Sequence, residues 1–426
     1  MKYQNIFDYA KEKGIEYLLI NSRKVTSLDF EVSNDKLKKY TSSIVTTYLI
    51  TAYINNRNIT FETENLKNYS KIIDELIDDA SLLEETTNNF YKIKENIINK
   101  EKILLSSNFD IKLKELLSLH EFLNVYPLLT NIDACYGESI TEIEIHTSDN
   151  KYLRDINKVY YFTTEVFATN DGINSSSYAI KESTKDEIDI KKTVLNTIED
   201  TLNKLNCQTI NSGRYKVLLT NEVSANILES FISIFSALSI EKKISLLTDK
   251  LDQKVFSSKL NIIEDPNNKD YIGKRLFDDE GNKTKYKEII KEGIFKQALY
   301  DNQTAIKEKK DSTGNSYGKI WTRNLHIQKG STSYEDLIKQ MHTGIIINEI
   351  QGMHAGINKT NGDISLQAAG YYVENSQVKY PVKLFVLVTN IFELYKNISD
   401  IGSDLEFFDS SCGSPSLLVD NIQISK

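Results

Sequence analysis

The first part of the chain alternates short hydrophobic runs with polar turns, after an opening helical segment at residues 5–13. Strand-like runs follow, separated by polar turns, at residues 17–20, 25–32, 44–53 and 58–62. Residues 70–83 then carry isoleucine and leucine at helical spacing. The order of helix, antiparallel strands and helix predicts an α+β layer.

Residues 84–120 are dense in lysine, glutamate and asparagine, which predicts a polar helical bridge and a possible subdivision of the N-terminal region. Beyond the bridge, the pattern predicts strands at 141–146, 160–168 and 176–181, and a helix at 190–205. The sequence Asn211-Ser212-Gly213 is the clearest turn between large units. We therefore place the principal domain boundary after residue 212.

Glycine punctuates short runs of β-branched residues throughout residues 213–426. This pattern predicts a twisted, many-stranded sheet or a barrel with short turns. The expected fold is therefore α+β, with an N-terminal antiparallel sheet-and-helix region (1–212) followed by a β-rich C-terminal domain (213–426).

The composition is that of an ordinary globular protein of 426 residues, with 40% hydrophobic and 26% charged residues. The chain has 52 Lys+Arg against 60 Asp+Glu, a formal net charge of -8, and no dominant basic block. Since phosphate contacts need clustered cationic side chains, we expect no nucleic-acid partner.

Cysteine usage and hydrophobicity bear on the compartment. Cys135, Cys207 and Cys412 are widely spaced and form no CxxC pair, which favours a reducing cytoplasm over a disulfide framework. The polar N-terminus differs from an apolar signal core. The most hydrophobic segments, 227–240 and 382–392, are interrupted by polar residues, so we expect no membrane partner.

The segment Asn221-Glu222-Val223-Ser224-Ala225-Asn226 carries the candidate chemistry. It follows the apolar run at 215–220 and opens an amphipathic stretch. A glutamate in this setting can serve as general base to a metal-bound water if imidazoles flank it, but here both flanks are carboxamides. An uncharged amide oxygen is a poor zinc ligand, because zinc prefers imidazole, thiolate or carboxylate.

A series of motifs runs in order through the second half of the chain. They include Ser212-Gly213-Arg214-Tyr215, Phe277-Asp278-Asp279-Glu280-Gly281, Gly352-Met353-His354-Ala355-Gly356, Asn361-Gly362-Asp363-Ile364-Ser365 and Ile401-Gly402-Ser403-Asp404-Leu405-Glu406. With these motifs the chain resembles the TldD/PmbA family, once called modulators of DNA gyrase and now regarded as metallopeptidases acting on peptides. The N-terminal half resembles the family more loosely, through its order of elements and through Tyr17 and Arg23.

In the zinc-bearing TldD branch the resemblance implies an HExxxH motif on a helix and a cysteine ligand near the C-terminus. This chain has Asn221, Glu222 and Asn226 at the motif positions, and Cys412 where the family cysteine lies. Two of the three ligands are replaced, which resembles the PmbA (TldE) branch. The resemblance implies no cofactor in this chain, zinc in a TldD-like partner subunit, and an unfolded peptide as substrate.

Alternative interpretations remain open at these positions. Glu222 is either a carboxylate that stabilises the first turn of a helix or a residual general base, and no peptide-binding residue is identifiable. One alternative function is a zinc metallopeptidase in its own right, with Glu222 as general base and the ion held by Cys412 and displaced ligands such as His354 or a nearby carboxylate. A second is a peptide-binding homodimer without enzymatic activity.

Overall fold

The computed structural model describes residues 2–83, 85, 91–106, 109–408 and 411–426. Its helices are α1 (Gln4–Glu12), α2 (Tyr69–Ser81), α3 (Phe109–Leu117), α4 (Glu121–Val125), α5 (Ile190–Lys204), α6 (Asn221–Ser230), α7 (Ala237–Glu241), α8 (Asn302–Lys307), α9 (Tyr334–Met341), α10 (Met353–Gly356) and α11 (Ile391–Lys396). Short 3₁₀ turns lie at Ser118–His120 and Ile232–Phe235.

The strands are, in chain order, β1 (Tyr17–Ser33), β2 (Lys36–Ile54), β3 (Arg57–Thr63), β4 (Ile97–Ile98), β5 (Leu129–Thr147), β6 (Tyr152–Asn170), β7 (Ile173–Ser183), β8 (Gly213–Leu219), β9 (Ile262–Glu264), β10 (Lys287–Lys291), β11 (Ile294–Phe295), β12 (Leu325–Ile327), β13 (Gly344–Gln351), β14 (Asp363–Glu374), β15 (Gln377–Asn390), β16 (Ile398–Ile401), β17 (Glu406–Phe407), β18 (Cys412–Ser414) and β19 (Leu417–Ser425). The strands predicted at 17–20 and 25–32 form one continuous strand, β1.

The first seven strands form one sheet, in the order β3-β2-β1-β5-β6-β4, with β7 also paired to β6. Pairing is antiparallel except between β4 and β6. The α1 and α2 helices bury Phe7, Ile73 and Leu76 against this sheet. The α5 helix buries Val194 and Ile198 over another part of it. Helices packed on an antiparallel sheet confirm the predicted layer.

The polar helical bridge predicted over 84–120 is wrong for residues 91–106, which form no helix and include only the short strand β4. Residues 84, 86–90 and 107–108 lie outside the described residues. Within residues 91–106, Ile93 is buried against Leu153 and Phe277, and Arg154 donates to the carbonyl of Glu101 at 3.1 Å. These tertiary contacts override the helical propensity of a lysine- and glutamate-rich segment.

The strands after residue 212 form two further sheets. One closes into a barrel, because β15-β14-β13-β8-β19 are hydrogen-bonded in series and β15 also pairs with β19, while β16 extends the sheet from β19. The second sheet has the order β11-β10-β9-β12-β18-β17. This confirms the expected α+β fold with a barrel in its C-terminal part.

The N-terminal sheet uses strands from residues 17–183 only, and the other two sheets use strands from residues 213–425. The boundary after residue 212 stays a prediction. The two parts are in direct contact, since Lys274 Nζ lies 3.3 Å from Asp155 Oδ1. Among the described residues, no helix has the combination of length and hydrophobicity that crossing a bilayer requires.

Candidate functional site

The α6 helix carries the candidate chemistry and starts directly after the barrel strand β8. Thr220 follows the end of β8 in an extended conformation and caps α6, so Asn221 and Glu222 occupy the first helical turn. Val223, Ile227 and Leu228 are buried in the main hydrophobic core. Because this apolar face is anchored, the polar residues at the start of α6 are held at a fixed place beside the barrel.

Both ends of the Asn221 carboxamide are engaged in hydrogen bonds. Its Nδ2 donates to Glu406 Oε2 at 3.2 Å and to the carbonyl of Asp404 at 3.3 Å. Its Oδ1 accepts from the backbone N–H of Glu222 at 2.9 Å. Lys181, on β7 of the N-terminal sheet, donates to the other oxygen of Glu406. The Glu406 carboxylate therefore joins α6 to the N-terminal sheet.

Cys412 lies against the same helix. Its side chain is buried, and Sγ is 3.7 Å from the carbonyl oxygen of Ala225. Asn226 is half-buried, and its carbonyl accepts from Ser230 Oγ at 2.9 Å. On a regular α-helix, positions 221 and 226 are about 140° apart around the axis. The structure thus brings Cys412 to α6, while the two asparagines lie on different sides of that helix.

Glu222 is exposed at the start of α6, but it lies among other charged groups. Desolvation by the surrounding protein raises the pKa of its carboxyl, and the nearby carboxylates of Glu406, Glu349 and Asp200 raise it further, while Lys181 opposes them. The pKa of Asp200 is likewise raised by burial. A carboxyl group of this kind holds a proton at higher pH than an ordinary glutamate.

A polar surface continues from this cluster between α5 and the barrel. Tyr371 donates to Asp200 Oδ1 at 2.8 Å, and Lys204 Nζ lies 2.7 Å from Glu349 Oε2. A cavity of about 260 Å³ adjoins this ion pair and is lined also by Gln351, Gln367 and Lys383. Amides and charged groups arranged in this way can hydrogen-bond to a polar ligand.

The sequence did not reveal several members of the site. Lys181 and Asp200 come from the N-terminal part of the chain and precede α6 by 20 residues or more. Glu349 lies on β13 and reaches the site only because β13 pairs with β8. No local pattern marks these residues, so only the packing of α5 and β7 against the barrel could identify them.

The late histidines lie apart in the fold. His354, the displaced ligand of the alternative interpretation, is exposed in α10, directly after Gly352. His326 is buried in β12, with Nδ1 at 2.8 Å from the carbonyl oxygen of Asn324. His342 is exposed at the end of α9. Within the part of the chain that the structure describes, no cluster of three or more His, Cys, Asp or Glu side chains is arranged to hold a metal ion.

The class of protein follows from comparison with known families. Residues 212–426 match the family model described as the PmbA/TldA metallopeptidase C-terminal domain. This match covers half of the chain, and the chain belongs to the PmbA/TldD family.

Individual relatives agree with this assignment. The chain is 32% identical over 230 residues to the metalloprotease PmbA homolog of Buchnera aphidicola. The aligned region covers 54% of this chain and 50% of that protein. The chain is 31% identical over 215 residues to metalloprotease PmbA of Escherichia coli O157:H7, covering 50% and 47%. The matched part thus spans about half the length of these curated relatives.

Solved structures share the whole fold. TldE from Thermococcus kodakarensis superimposes with a TM-score of 0.87 at 18% identity, covering 100% of both chains. A Thermotoga maritima protein assigned to the modulators of DNA gyrase gives a TM-score of 0.87 at 24% identity, covering 99% of this chain and 98% of the other. At these identities the likeness concerns the fold alone.

Proposed function

We propose that this chain is a PmbA-like subunit of a TldD/PmbA-type peptidase system and carries no zinc ion of its own. Its role is to pair with a zinc-bearing subunit and to help that subunit bind and cleave unfolded peptides. The observation that carries this proposal is the Asn221 carboxamide, which makes three hydrogen bonds at the first of the family ligand positions.

The chemistry of the donor set supports a site without zinc. Zinc binds imidazole, thiolate or carboxylate, whereas two of the three family ligand positions here hold the carboxamides of Asn221 and Asn226. The Asn221 amide also directs its N–H groups toward Glu406 and Asp404. A cation bound there would instead need a ligand atom that offers a lone pair. Of the family ligand set, only the thiol of Cys412 remains, and a single thiol does not hold a tetrahedral ion.

The N-terminal sheet offers support for peptide binding. Among the strands of the described chain, β7 pairs with β6 alone, so its other edge can accept an added strand. Addition of a strand uses backbone hydrogen bonds and tolerates many sequences, which suits an unfolded peptide. Lys181 places the end of β7 beside Glu406 and α6. A peptide on this edge therefore approaches the candidate site.

Metal analysis and peptidase assays test the proposal. We expect the purified chain alone to contain far less than one zinc ion per molecule and to leave unstructured peptides intact. Mixed with a zinc-bearing TldD-type protein from the same organism, it should form a complex that contains zinc and cleaves peptides. Stoichiometric zinc together with cleavage by the isolated chain would contradict the proposal. Light scattering of the isolated chain separates self-pairing from pairing with the other subunit.

One observation favours the alternative in which this chain is itself a hydrolase. The raised pKa of Glu222 suits a general base. Under the alternative, Glu222→Gln abolishes cleavage wherever the chain is active. Under our proposal, the same variant leaves the activity of the mixed complex close to that of the original chain. Assaying the complex with each form of the chain therefore distinguishes the two functions.

A further inference from the structure

A second cavity, separate from the start of α6, lies between the N-terminal sheet and the C-terminal part of the chain. Its volume is about 320 Å³, within the range of roughly 300–1,000 Å³ that is typical of small-molecule sites. Strands β1, β5, β6 and β7 form one side, and residues 272–275 with Arg323 form the other. Four cationic side chains line it, Arg23, Lys274, Arg275 and Arg323, against two acidic ones, Asp155 and Glu182.

Arg275 is the most informative of these side chains. It is only 7% exposed, and its Nη2 donates to Asp279 Oδ1 at 2.8 Å. Its Nε has no hydrogen-bond partner among the described residues, but surrounding atoms close it off from any ligand. The cavity is thus lined by a guanidinium group that little water reaches and that Asp279 holds in place. A guanidinium in such a setting favours an anionic ligand.

The guanidinium groups are also crowded. Those of Arg275 and Arg323 lie against the same ring, at 5.5 Å and 4.9 Å from the centroid of Tyr317. Burial lowers the pKa of the Arg323 guanidinium, and the positive charges of Arg275 and Arg23 lower it further. Asp279 pairs with Arg275 and also opposes the lowering of the pKa at Arg323, and Asp155 pairs with Lys274. An anion bound between the arginines would reduce the repulsion among their positive charges.

We propose that this cavity binds the carboxylate of a peptide, with Arg23, Arg275 and Arg323 as the recognising groups. Planar guanidinium groups match a carboxylate with paired hydrogen bonds. Ile143, Ile156 and Val159 also line the cavity, which gives an adjoining aliphatic side chain an apolar contact. This inference rests on the proposed peptide-binding function and adds to it the chemical group that is recognised.

The position of the cavity fits a peptide that extends toward the candidate site. Arg323 stands two residues before Leu325, and Leu325 on β12 is the parallel partner of Cys412 on β18. On the opposite side, Glu182 lines the cavity and follows Lys181, which binds Glu406. A peptide held by a carboxylate in this cavity can therefore reach α6 within a few residues.

Calorimetric titration of the full chain tests this inference with matched peptides. One unstructured peptide is prepared with a free C-terminal carboxylate and with a C-terminal amide, each with and without a glutamate next to the last residue. We expect the free acid to bind about tenfold or more tightly than the amide. If the C-terminally amidated peptide that carries the added glutamate binds as tightly as the free acid, the recognised carboxylate belongs to a side chain. That outcome also supports the proposal.

Two variants of the same strand provide the control. Arg23→Gln removes an exposed cavity arginine and should abolish the preference for the free acid. Lys24→Gln removes the neighbouring cation, which is exposed and does not line the cavity, and should preserve the preference. Circular dichroism confirms that both variants fold.

Three outcomes would overturn the inference. If every peptide form binds equally, the carboxylate assignment fails while the proposed peptide-binding function stands. If Arg23→Gln and Lys24→Gln behave alike, the carboxylate is recognised elsewhere. If inorganic phosphate binds in an Arg23-dependent way and no peptide form does, the cavity serves a phosphate, and peptide binding fails with it.

Discussion

Asn221 shows how one side chain determines what the start of α6 can do. Its amide nitrogen faces two acceptors, Glu406 Oε2 and the carbonyl of Asp404. Asn221→Asp replaces this donor with a carboxylate that faces a second carboxylate. We expect the free energy of unfolding to fall by about 1–3 kcal/mol, the cost of a lost partner and an added like charge. Denaturant unfolding of the variant measures this change.

A double-mutant cycle isolates the contact between Asn221 and Glu406. Adding Glu406→Gln to Asn221→Asp restores a donor opposite an acceptor, so part of the lost stability should return. Asn226→Asp is the matched control, because it makes the same change on the same helix at a half-buried position. An equal loss from Asn226→Asp would mean that the contact with Glu406 contributes nothing specific.

Buried carboxyl groups outside the site make stability depend on pH. Burial and the neighbouring charge of Asp278 raise the pKa of Glu280 from 4.5 to about 8. Because the folded state then holds the proton more tightly than the unfolded state, the contribution of Glu280 to stability is fully present below about pH 4.5 and is lost as the pH rises from there through about 8. The slope for one proton is at most about 1.4 kcal/mol per pH unit.

Glu280→Gln should reduce this pH dependence, because glutamine stays neutral and keeps an oxygen to accept from the backbone N–H of Asn302. Urea unfolding at pH 5 and at pH 8.5 measures the difference for each protein. Glu374→Gln, at an exposed position on β14, is the control and should keep the original slope. An unchanged slope in Glu280→Gln would show that the carboxyl ionises normally.

Among individual residues, the sequence predicted what depends on local order and missed what depends on folding. The first-turn positions of Asn221 and Glu222 follow from the end of an apolar strand and a helical pattern. The contact of Cys412 with α6 was implied only by the family resemblance. Lys181 could not be predicted, because it reaches Glu406 only through the packing of two distant parts of the chain.

At the level of elements, the turn between β10 and β11 depends on one glycine. Gly293 has a φ of 75°, and a Cβ added there would lie 2.3 Å from the carbonyl oxygen of Phe256. Gly293→Ala therefore combines an unfavourable backbone conformation with a clash against backbone, and should destabilise the protein by about 3 kcal/mol or more. Thermal unfolding detects a loss of this size.

Gly318→Ala separates the two causes. Gly318 has a φ of 70°, but an added Cβ would meet no atom within 4 Å. This variant carries only the conformational cost, about 1–2 kcal/mol. If the two variants lose the same stability, the close approach of Phe256 to Gly293 contributes nothing.

The predictions of helices and strands succeeded where the hydrophobic residues follow a long, regular period, and failed where apolar residues occur without one. The helix at 190–205 and the strands at 160–168 and 176–181 each have a clear period, and they match α5, β6 and β7. Residues 91–106 contain helix-favouring lysine and glutamate, but most of their apolar residues fall in two short clusters, at 97–98 and 103–105, without a sustained helical period. Their path is set by the burial of Ile93 and by the pairing of β4 with β6, which composition does not encode.

In the whole molecule, a buried ion pair joins the N-terminal sheet to the C-terminal part. Asp155 is 2% exposed and accepts from Lys274 Nζ at 3.3 Å, from the backbone N–H of Leu276 at 2.8 Å and from Asn99 Nδ2 at 3.2 Å. Removing one partner of a buried ion pair leaves the other charge without a compensating charge in a place that water hardly reaches. Asp155 therefore fixes how the two parts of the chain are placed around the proposed carboxylate cavity.

Asp155→Ala should lower the free energy of unfolding by about 3–5 kcal/mol, because it leaves the buried ammonium group of Lys274 without its negatively charged partner. Asp270→Ala is the matched control, since Asp270 pairs with Lys185 across the same two parts of the chain at 3.8 Å, with both side chains more than half exposed. That variant should change stability little, because solvent screens an exposed pair.

Denaturant unfolding, followed by both tryptophan fluorescence and circular dichroism, compares Asp155→Ala with Asp270→Ala. Since Trp321 is the single tryptophan and lies in the C-terminal part, a separation of the two signals in Asp155→Ala would show that the parts unfold independently once this contact is lost. Equal stability of the two variants would mean that the buried carboxylate does not hold the parts together.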